Sequence, residues 1–332
     1  MLATRVNTQG RVGHGACTGP RVFAGIGYGR IVDGARRVGV RRRGHEWTPG
    51  GEAAPAELPP WRRVDLADGE RVVARVADGP VPILLLHGWA ITADVNFCHI
   101  MQPLAREYGV LAMDMRGHGR GPALEPGRRF DIARCADDAA ALLDALGIDR
   151  VVVCGYSLGG PVGLEFARRH RDRVAGLVLQ ATAMAFASPA DRLGRWLFRG
   201  LRPLADRSPG IGRSAPVTYF RHVRTRGARN AAWWPWLRSE LMLCHPRVIV
   251  DVILAEYAFD FRPHADILAG LPISVVITTR DGAVPPADQR ELAALLDARV
   301  FELDAGHDVF LDDPDIYSAA TFAAIAHVHP DA

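Results

Sequence analysis

The 332-residue sequence predicts an α/β fold: a mostly parallel sheet with helices on both faces. Three observations carry that reading. Short apolar runs at 83–86, 110–113, 151–153 and 174–180 alternate with longer stretches of helical period, and strands of that kind are buried on both faces. One of these runs passes straight into glycine, in Val151-Val152-Val153-Cys154-Gly155-Tyr156-Ser157-Leu158-Gly159-Gly160. Finally, with 48% hydrophobic residues the chain can bury a large core, as one big domain or as a domain with an insertion.

The first segment stands apart. Residues 1–43 hold nine Arg, one acid and nine Gly, a local charge of +8 that leaves −5 on the rest of a chain whose total is +3. All 40 basic residues are arginine, which reads as coding bias. Without hydrophobic periodicity, residues 1–57 are expected to be a disordered basic extension, with folded sequence beginning near Trp61 after Leu58-Pro59-Pro60. A basic excess confined to one tail argues against a nucleic-acid-binding body. The tail has no continuous apolar stretch of the secretory kind, so a cytoplasmic location is expected. The best apolar run, Val174 to Ala187, is too short for a membrane span and contains Gln180. Five scattered cysteines without a CxxC pair offer neither a disulfide framework nor a structural zinc site. Nothing in the sequence sets an oligomeric state.

The elements follow in order. Arg62–Leu66 and Arg71–Val76 flank Ala67-Asp68-Gly69, a hairpin signal. Strand 83–86, a helical stretch around 97–105 and strand 110–113 come next. Ile132, Cys135, Ala136, Ala139, Leu142, Leu143 and Leu146 lie on one helix face that Gly147 closes. Strand 151–153, helix 158–170 and strand 174–180 complete this half. Later come strand 273–279, helix 286–296, strand 299–303 and helix 314–328.

Ligand sites in such sheets lie outside the carboxyl ends of the strands, and Ser157 sits at one of them. Gly155-Tyr156-Ser157-Leu158-Gly159 matches G-x-S-x-G, a sharp strand-to-helix turn that lifts a serine hydroxyl above the sheet beside a helix amino end. A serine nucleophile needs a base, itself oriented by a third group. With partners in the order serine, acid, histidine, Asp281 follows strand 273–279 and His307 follows strand 299–303. Among twelve histidines, His307 alone lies immediately beyond a late strand. Asp304 and Asp308 are too close in sequence to reach around to its far nitrogen. Donors for an oxyanion are expected at the backbone N–H of Leu158 and in the loop His87-Gly88-Trp89.

With these residues in view, the chain resembles the α/β-hydrolase fold superfamily, in its lid-bearing serine esterase and haloperoxidase-like group. The marks are His87-Gly88-Trp89, Asp114-Met115-Arg116-Gly117-His118-Gly119, the turn at Ser157, Asp281 with Val284-Pro285, and Gly306-His307. The resemblance covers roughly 60–328. It implies an eight-stranded sheet, a core of 58–183 and 269–332, and a helical cap at 184–268 inserted after the sixth strand. It also implies a Ser157–His307–Asp281 triad with Trp89 and Leu158 as oxyanion donors. His87 and the loop 116–119 are expected to be structural. Relatives that open epoxides or carbon–halogen bonds carry aspartate where this chain has Ser157, which argues against those reactions.

The expected activity is cofactor-independent, metal-free hydrolysis of a small hydrophobic carboxylic ester or thioester. The same triad also fits hydrolysis of a C–C bond in ring-cleavage products, although such relatives often have Asn where Tyr156 stands. A ligand receptor retaining the fold is the third reading. The insertion holds four of the seven tryptophans, and Tyr156, Trp233, Trp234 and Trp236 are expected to contact substrate.

Overall fold

Alternation along the strands sets the layers. In the computed structural model, Leu84 and Leu86 pack with Cys135, Leu142 and Val162 on one face, while Ile83 and Leu85 pack with Phe97, Met101 and Ile325 on the other. Side chains of period two thus feed two cores, which is why the run 83–86 carries no polar residue. The structure describes residues 54–329 except Pro126, 187–188, 208–213, 215–216 and 222–227, together with 40–42 and 45–47. Those last two segments are short paired strands, β1 (Val40–Arg42) and β2 (His45–Trp47). The expectation of disorder for the rest of the basic tail lies outside the described residues, apart from 54–57.

The main sheet has eight strands: β3 (Trp61–Asp65), β4 (Arg71–Ala77), β5 (Ile83–Leu86), β6 (Val110–Met113), β7 (Val151–Tyr156), β8 (Val174–Gln180), β9 (Ile273–Thr278) and β10 (Arg299–Leu303). Their spatial order is β10-β9-β8-β7-β5-β6-β4-β3. β4 runs antiparallel to both β3 and β6, and every other pairing is parallel. The β3–β4 turn is closed at Gly69, where φ is +81° and the N–H bonds Leu66 O at 3.0 Å. β5 is followed spatially by β6 on one side and β7 on the other, so the chain reverses direction of progress at that strand. Such a switch point opens a crevice above the sheet.

Helices α1 (Ala93–Glu107) and α9 (Pro314–Val328) contribute to one core, α2 (Ile132–Leu146) and α3 (Gly159–Arg169) to the other. Asp131 caps α2 through the N–H of Ala133, and Gly147 ends it at φ +66°, as the sequence requires. α7 (Pro286–Leu295) and the short α8 (Val309–Asp312) flank β10 in sequence. Between β8 and β9 lie α4 (Pro189–Arg207), α5 (Ala228–Leu241), α6 (Val248–Glu256) and the 3₁₀ turn Arg262–Leu268. At the neck of this insertion Ala185 bridges Asp260 and the Phe261 N–H bonds Met184 O at 2.9 Å. Among the described residues, no helix is long and apolar enough to cross a membrane.

The insertion is tied to the sheet by buried polar bonds. Glu240 of α5 accepts two bonds from Arg120, at 2.6 and 2.8 Å, and one from the Thr92 hydroxyl at 2.7 Å. Asp114 accepts the N–H groups of Ala93 and Arg120 at 2.7 and 2.8 Å. Burial raises the Asp114 carboxyl, but Arg120, His87 and these N–H donors outweigh it and hold it below its ordinary value. Asp114 and Arg120 therefore act as a joint between β6 and the insertion.

Candidate active site

The turn after β7 is strained, and its neighbours explain how the strain is held. Ser157 has φ +52°, a region costly for a residue with a side chain. Its N–H donates to Gln180 O at 2.9 Å, and its carbonyl accepts from the Gly160 N–H at 2.8 Å and the Thr182 hydroxyl at 2.9 Å. A Cβ on Gly155 would collide with the Gly159 carbonyl, and one on Gly159 with Leu86 O. Glycine is needed there because strand, helix and β5 pass too closely for a side chain. The fixed turn leaves Ser157 8% exposed, facing a cavity of about 410 Å³.

Two later strand ends deliver their side chains to the same point. His307 Nε2 lies 3.0 Å from Ser157 Oγ, and His307 Nδ1 lies 2.8 Å from Asp281 Oδ2. Asp281 Oδ1 accepts the N–H groups of Ala283 and Val284, at 2.8 and 2.9 Å. Its Oδ2 also accepts from the Thr278 hydroxyl at 2.7 Å and from Gln289 Nε2 at 3.2 Å. Burial pushes this carboxyl up, but the His307 bond and charge, with Val284 and Thr278, pull it below its ordinary value. Asp281 is thus an ionised acceptor that fixes the proton of His307 on Nδ1, leaving Nε2 to accept from the serine. Sequence reasoning found Asp281 and His307 but not Thr278 or Gln289. The one signal for Gln289 is its place in the first turn of a helix opened by Pro285-Pro286.

The remaining expected residues divide. Trp89 and Gly88 line the cavity with Ser157, and a Cβ on Gly88 would stand 3.6 Å from that of Ser157. Among the described residues, neither the Trp89 nor the Leu158 backbone N–H has a protein acceptor. Tyr156 lines the cavity, and its hydroxyl bonds the His307 carbonyl. His87 is a structural clamp: its Nδ1 faces Gly88 O at 2.7 Å and its Nε2 accepts the Met115 N–H at 2.8 Å. His118 is buried, and burial with the neighbouring His87 lowers it to about 3. Neither of these two histidines reaches the cavity.

Trp233, Trp234 and Trp236 correct an expectation, since none of them lines the cavity. Trp236 is buried with Leu237 and Leu241 in the core shared with α1 and α8, and Trp233 and Trp234 pack against that core. The Trp233 ring stands 5.0 Å from that of His99. Aromatic bulk at 233, 234 and 236 serves to seat α5 on the sheet. The roof of the cavity is built instead from Phe186, Phe198, Tyr219, Phe220, Ile253 and Tyr257, with Glu256 and Asp191 among them.

Sequence comparison agrees with this frame. Residues 81–209 match the family model described as alpha/beta hydrolase fold. The chain is 37% identical over 255 residues to a pimeloyl-[acyl-carrier protein] methyl ester esterase of Neisseria meningitidis serogroup B, covering 73% of this chain and 92% of that protein. The chain belongs to the α/β-hydrolase fold family. Within that family, the solved enol-lactonase of Burkholderia xenovorans superposes with a TM-score of 0.66 at 25% identity, covering 80% of this chain and all of that one. An esterase of Exiguobacterium antarcticum superposes with a TM-score of 0.67 at 18% identity, covering 80% and 98%, a likeness of fold alone. The resemblance read from the motifs is borne out, as is the eight-stranded, mostly parallel sheet of this hydrolase fold.

Proposed function

We propose that the protein is a serine hydrolase that cleaves a carboxylic ester or thioester with a hydrophobic acyl or alcohol part. The observation that carries this reading is the relay Ser157 Oγ–His307 Nε2, His307 Nδ1–Asp281 Oδ2, at 3.0 and 2.8 Å. The activities of the similar Neisseria and Burkholderia proteins, a methyl ester esterase and an enol-lactonase, support the choice of bond.

In this mechanism Ser157 Oγ attacks the carbonyl carbon while His307 Nε2 takes its proton. The oxyanion is received by the free backbone N–H groups of Trp89 and Leu158, beside the amino end of α3. His307 then protonates the departing alcohol or thiol, leaving an acyl group on Ser157. Water, deprotonated by the same nitrogen, releases the acid. Asp281 remains ionised throughout and stabilises the imidazolium. We take 184–268 as a cap that roofs the reaction and supplies the apolar walls of the cavity, with Tyr156 contributing from the sheet side.

The test is Ser157→Ala with a phosphonate ester probe. The variant is expected to lose on the order of 10⁶ in kcat, and the probe to label the unmodified protein at Ser157 alone. Retained turnover in the variant, or labelling elsewhere, overturns the assignment.

A further inference from the structure

The cavity roof contains a carboxyl group that the relay does not use. Glu256, the last residue of α6, is 7% exposed and lines the cavity. Among the described residues, its side chain has no hydrogen-bond partner and no cation beside it. A buried carboxyl with no partner is costly, so its position calls for a group that arrives with the ligand. Asp191 of α4 lines the same space and is near enough to act on Glu256 through charge. A third acid, Asp308, lines the cavity as well, and among the described residues the one lining side chain able to carry positive charge is His307. The carboxyl end of α6 adds its own partial negative charge. Around these groups stand the rings of Phe186, Phe198, Tyr219, Phe220 and Tyr257. Aromatic faces combined with carboxylates in an enclosed space form the chemistry that receives an organic cation.

We propose that the roof is a cation subsite: Glu256, backed by Asp191, holds an ammonium group carried at the far end of the ester substrate, and the surrounding rings enclose it. This deepens the reading of the protein as an ester hydrolase and rests on it for the reaction, though not for the binding. Burial first, and then Asp191, raise the Glu256 carboxyl to about 8, so the empty roof holds a neutral acid at pH 7. A cation within roughly 4–6 Å lowers a carboxyl by about 1–3 units, so Glu256 releases its proton to solvent as the ammonium enters. The other titratable groups facing this space, among the described residues, are Asp191 on α4, Tyr219, Tyr257 at the end of α6, Tyr156 at the end of β7, and His307 and Asp308 after β10. Asp288 on α7 also feels Asp191.

Two measurements separate the subsite from the reaction. The first uses nitrophenyl esters of an ω-trimethylammonio acid, of its tert-butyl carbon isostere and of the matching dicarboxylic half-acid. The ammonium ester is expected to exceed the isostere by about tenfold in kcat/KM, as a partly desolvated cation–π and ion-pair contact allows, with the half-acid slowest. In Glu256→Gln the ratio of ammonium ester to isostere falls toward one, and in Asp191→Asn it falls part of the way. The second is titration of butyltrimethylammonium into Ser157→Ala protein by calorimetry in buffers of different ionisation heat. Binding accompanied by proton release at pH 7, with the release abolished in Ser157→Ala/Glu256→Gln, supports the subsite. If the isostere is cleaved but the ammonium ester has no advantage, or Glu256→Gln keeps that advantage, the subsite is wrong and the hydrolase stands. If butyltrimethylammonium binds as described while no ester is cleaved, the hydrolase reading fails and the subsite remains.

Discussion

The sheet and the insertion build the two walls of one cavity by different means. On the sheet side, Ser157, Asp281 and His307 stand at the ends of β7, β9 and β10, and each is fixed by backbone geometry or saturated hydrogen bonding. Asp281 alone accepts from two N–H groups, a hydroxyl, an amide and an imidazole. On the insertion side the cavity meets rings, Ile253, Asp191 and Glu256, the last a carboxyl without a hydrogen-bond partner among the described residues. In the mechanism and subsite proposed above, the sheet wall is preorganised for a single proton path and the insertion wall selects by shape and charge. Damage to the first should therefore remove turnover for every substrate, whereas damage to the second should change which substrate is preferred.

The largest effect expected lies on the sheet wall. His307→Ala should cost about as much as Ser157→Ala, on the order of 10⁶ in kcat, because nucleophile and base act as a unit. Asp281→Asn should cost less, on the order of 10⁴, by favouring the wrong tautomer of His307. Single-turnover kinetics with a nitrophenyl ester measure both. An Asp281→Asn variant of unchanged rate would show that the carboxylate at 2.8 Å does not orient the base.

Next in size is the joint between the walls. Arg120 and Glu240 have side chains 7% and 6% exposed, and removing one partner of such a pair leaves a buried charge behind. Glu240→Ala is expected to destabilise the protein by about 3–5 kcal/mol, measured by urea unfolding. A loss below about 1 kcal/mol would mean that the insertion is held by its apolar contacts with α1 and that the ion pair is dispensable.

The same contrast explains what could be read from sequence. A strand buried on both faces has a pattern that few other structures share, and its end is a fixed place. Ser157, Asp281 and His307 were legible because each falls at such an end, and Gly155 and Gly159 because a sharp turn needs them. Thr278 and Gln289 were not, since their contribution to Asp281 depends on the register between β9 and α7, which no local pattern encodes. Glu256 gave no signal in the sequence, and Phe198 was one aromatic residue among many in 184–268. Trp233, Trp234 and Trp236 are adjacent or nearly so on one helix and all pack in or against the same core, so aromatic content marks that α5 is packed without telling against what. Only the tertiary arrangement of the insertion decides that Phe198 lines the cavity and Trp236 packs with α1 and α8.

Glu256 supplies a prediction of intermediate size. Its carboxyl is raised from 4.5 to about 8, so between those values the folded protein holds a proton that the unfolded chain has lost. Stability from this group therefore falls as pH rises through that window and changes no further above it. Glu256→Gln removes the titration, so its stability relative to the unmodified protein should improve steadily from about pH 4.5 to about pH 8, by a few kcal/mol in all. Thermal or urea unfolding across that range checks it. A difference independent of pH would place the Glu256 carboxyl in water.

The smallest effect concerns substrate length, and it tests the insertion wall most directly. The apolar part of the cavity should reward each added methylene of the acyl chain by roughly 0.8 kcal/mol, about fourfold in kcat/KM, until the space is full. At about 410 Å³ the space is finite, so the series should climb over several carbons and then fall. Phe198 lines that space from α4, and Phe198→Ala should lower the gain per methylene and move the maximum to longer chains. Trp233 is half-buried against His99 and the core below α5, so Trp233→Ala should lower stability and leave the shape of the series as it is. The measurement is kcat/KM over straight-chain nitrophenyl esters from two carbons to twelve on all three proteins. A flat series in the unmodified protein would remove the insertion as an apolar selector. A series reshaped by Trp233→Ala and not by Phe198→Ala would reverse the assignment of which residues the substrate meets.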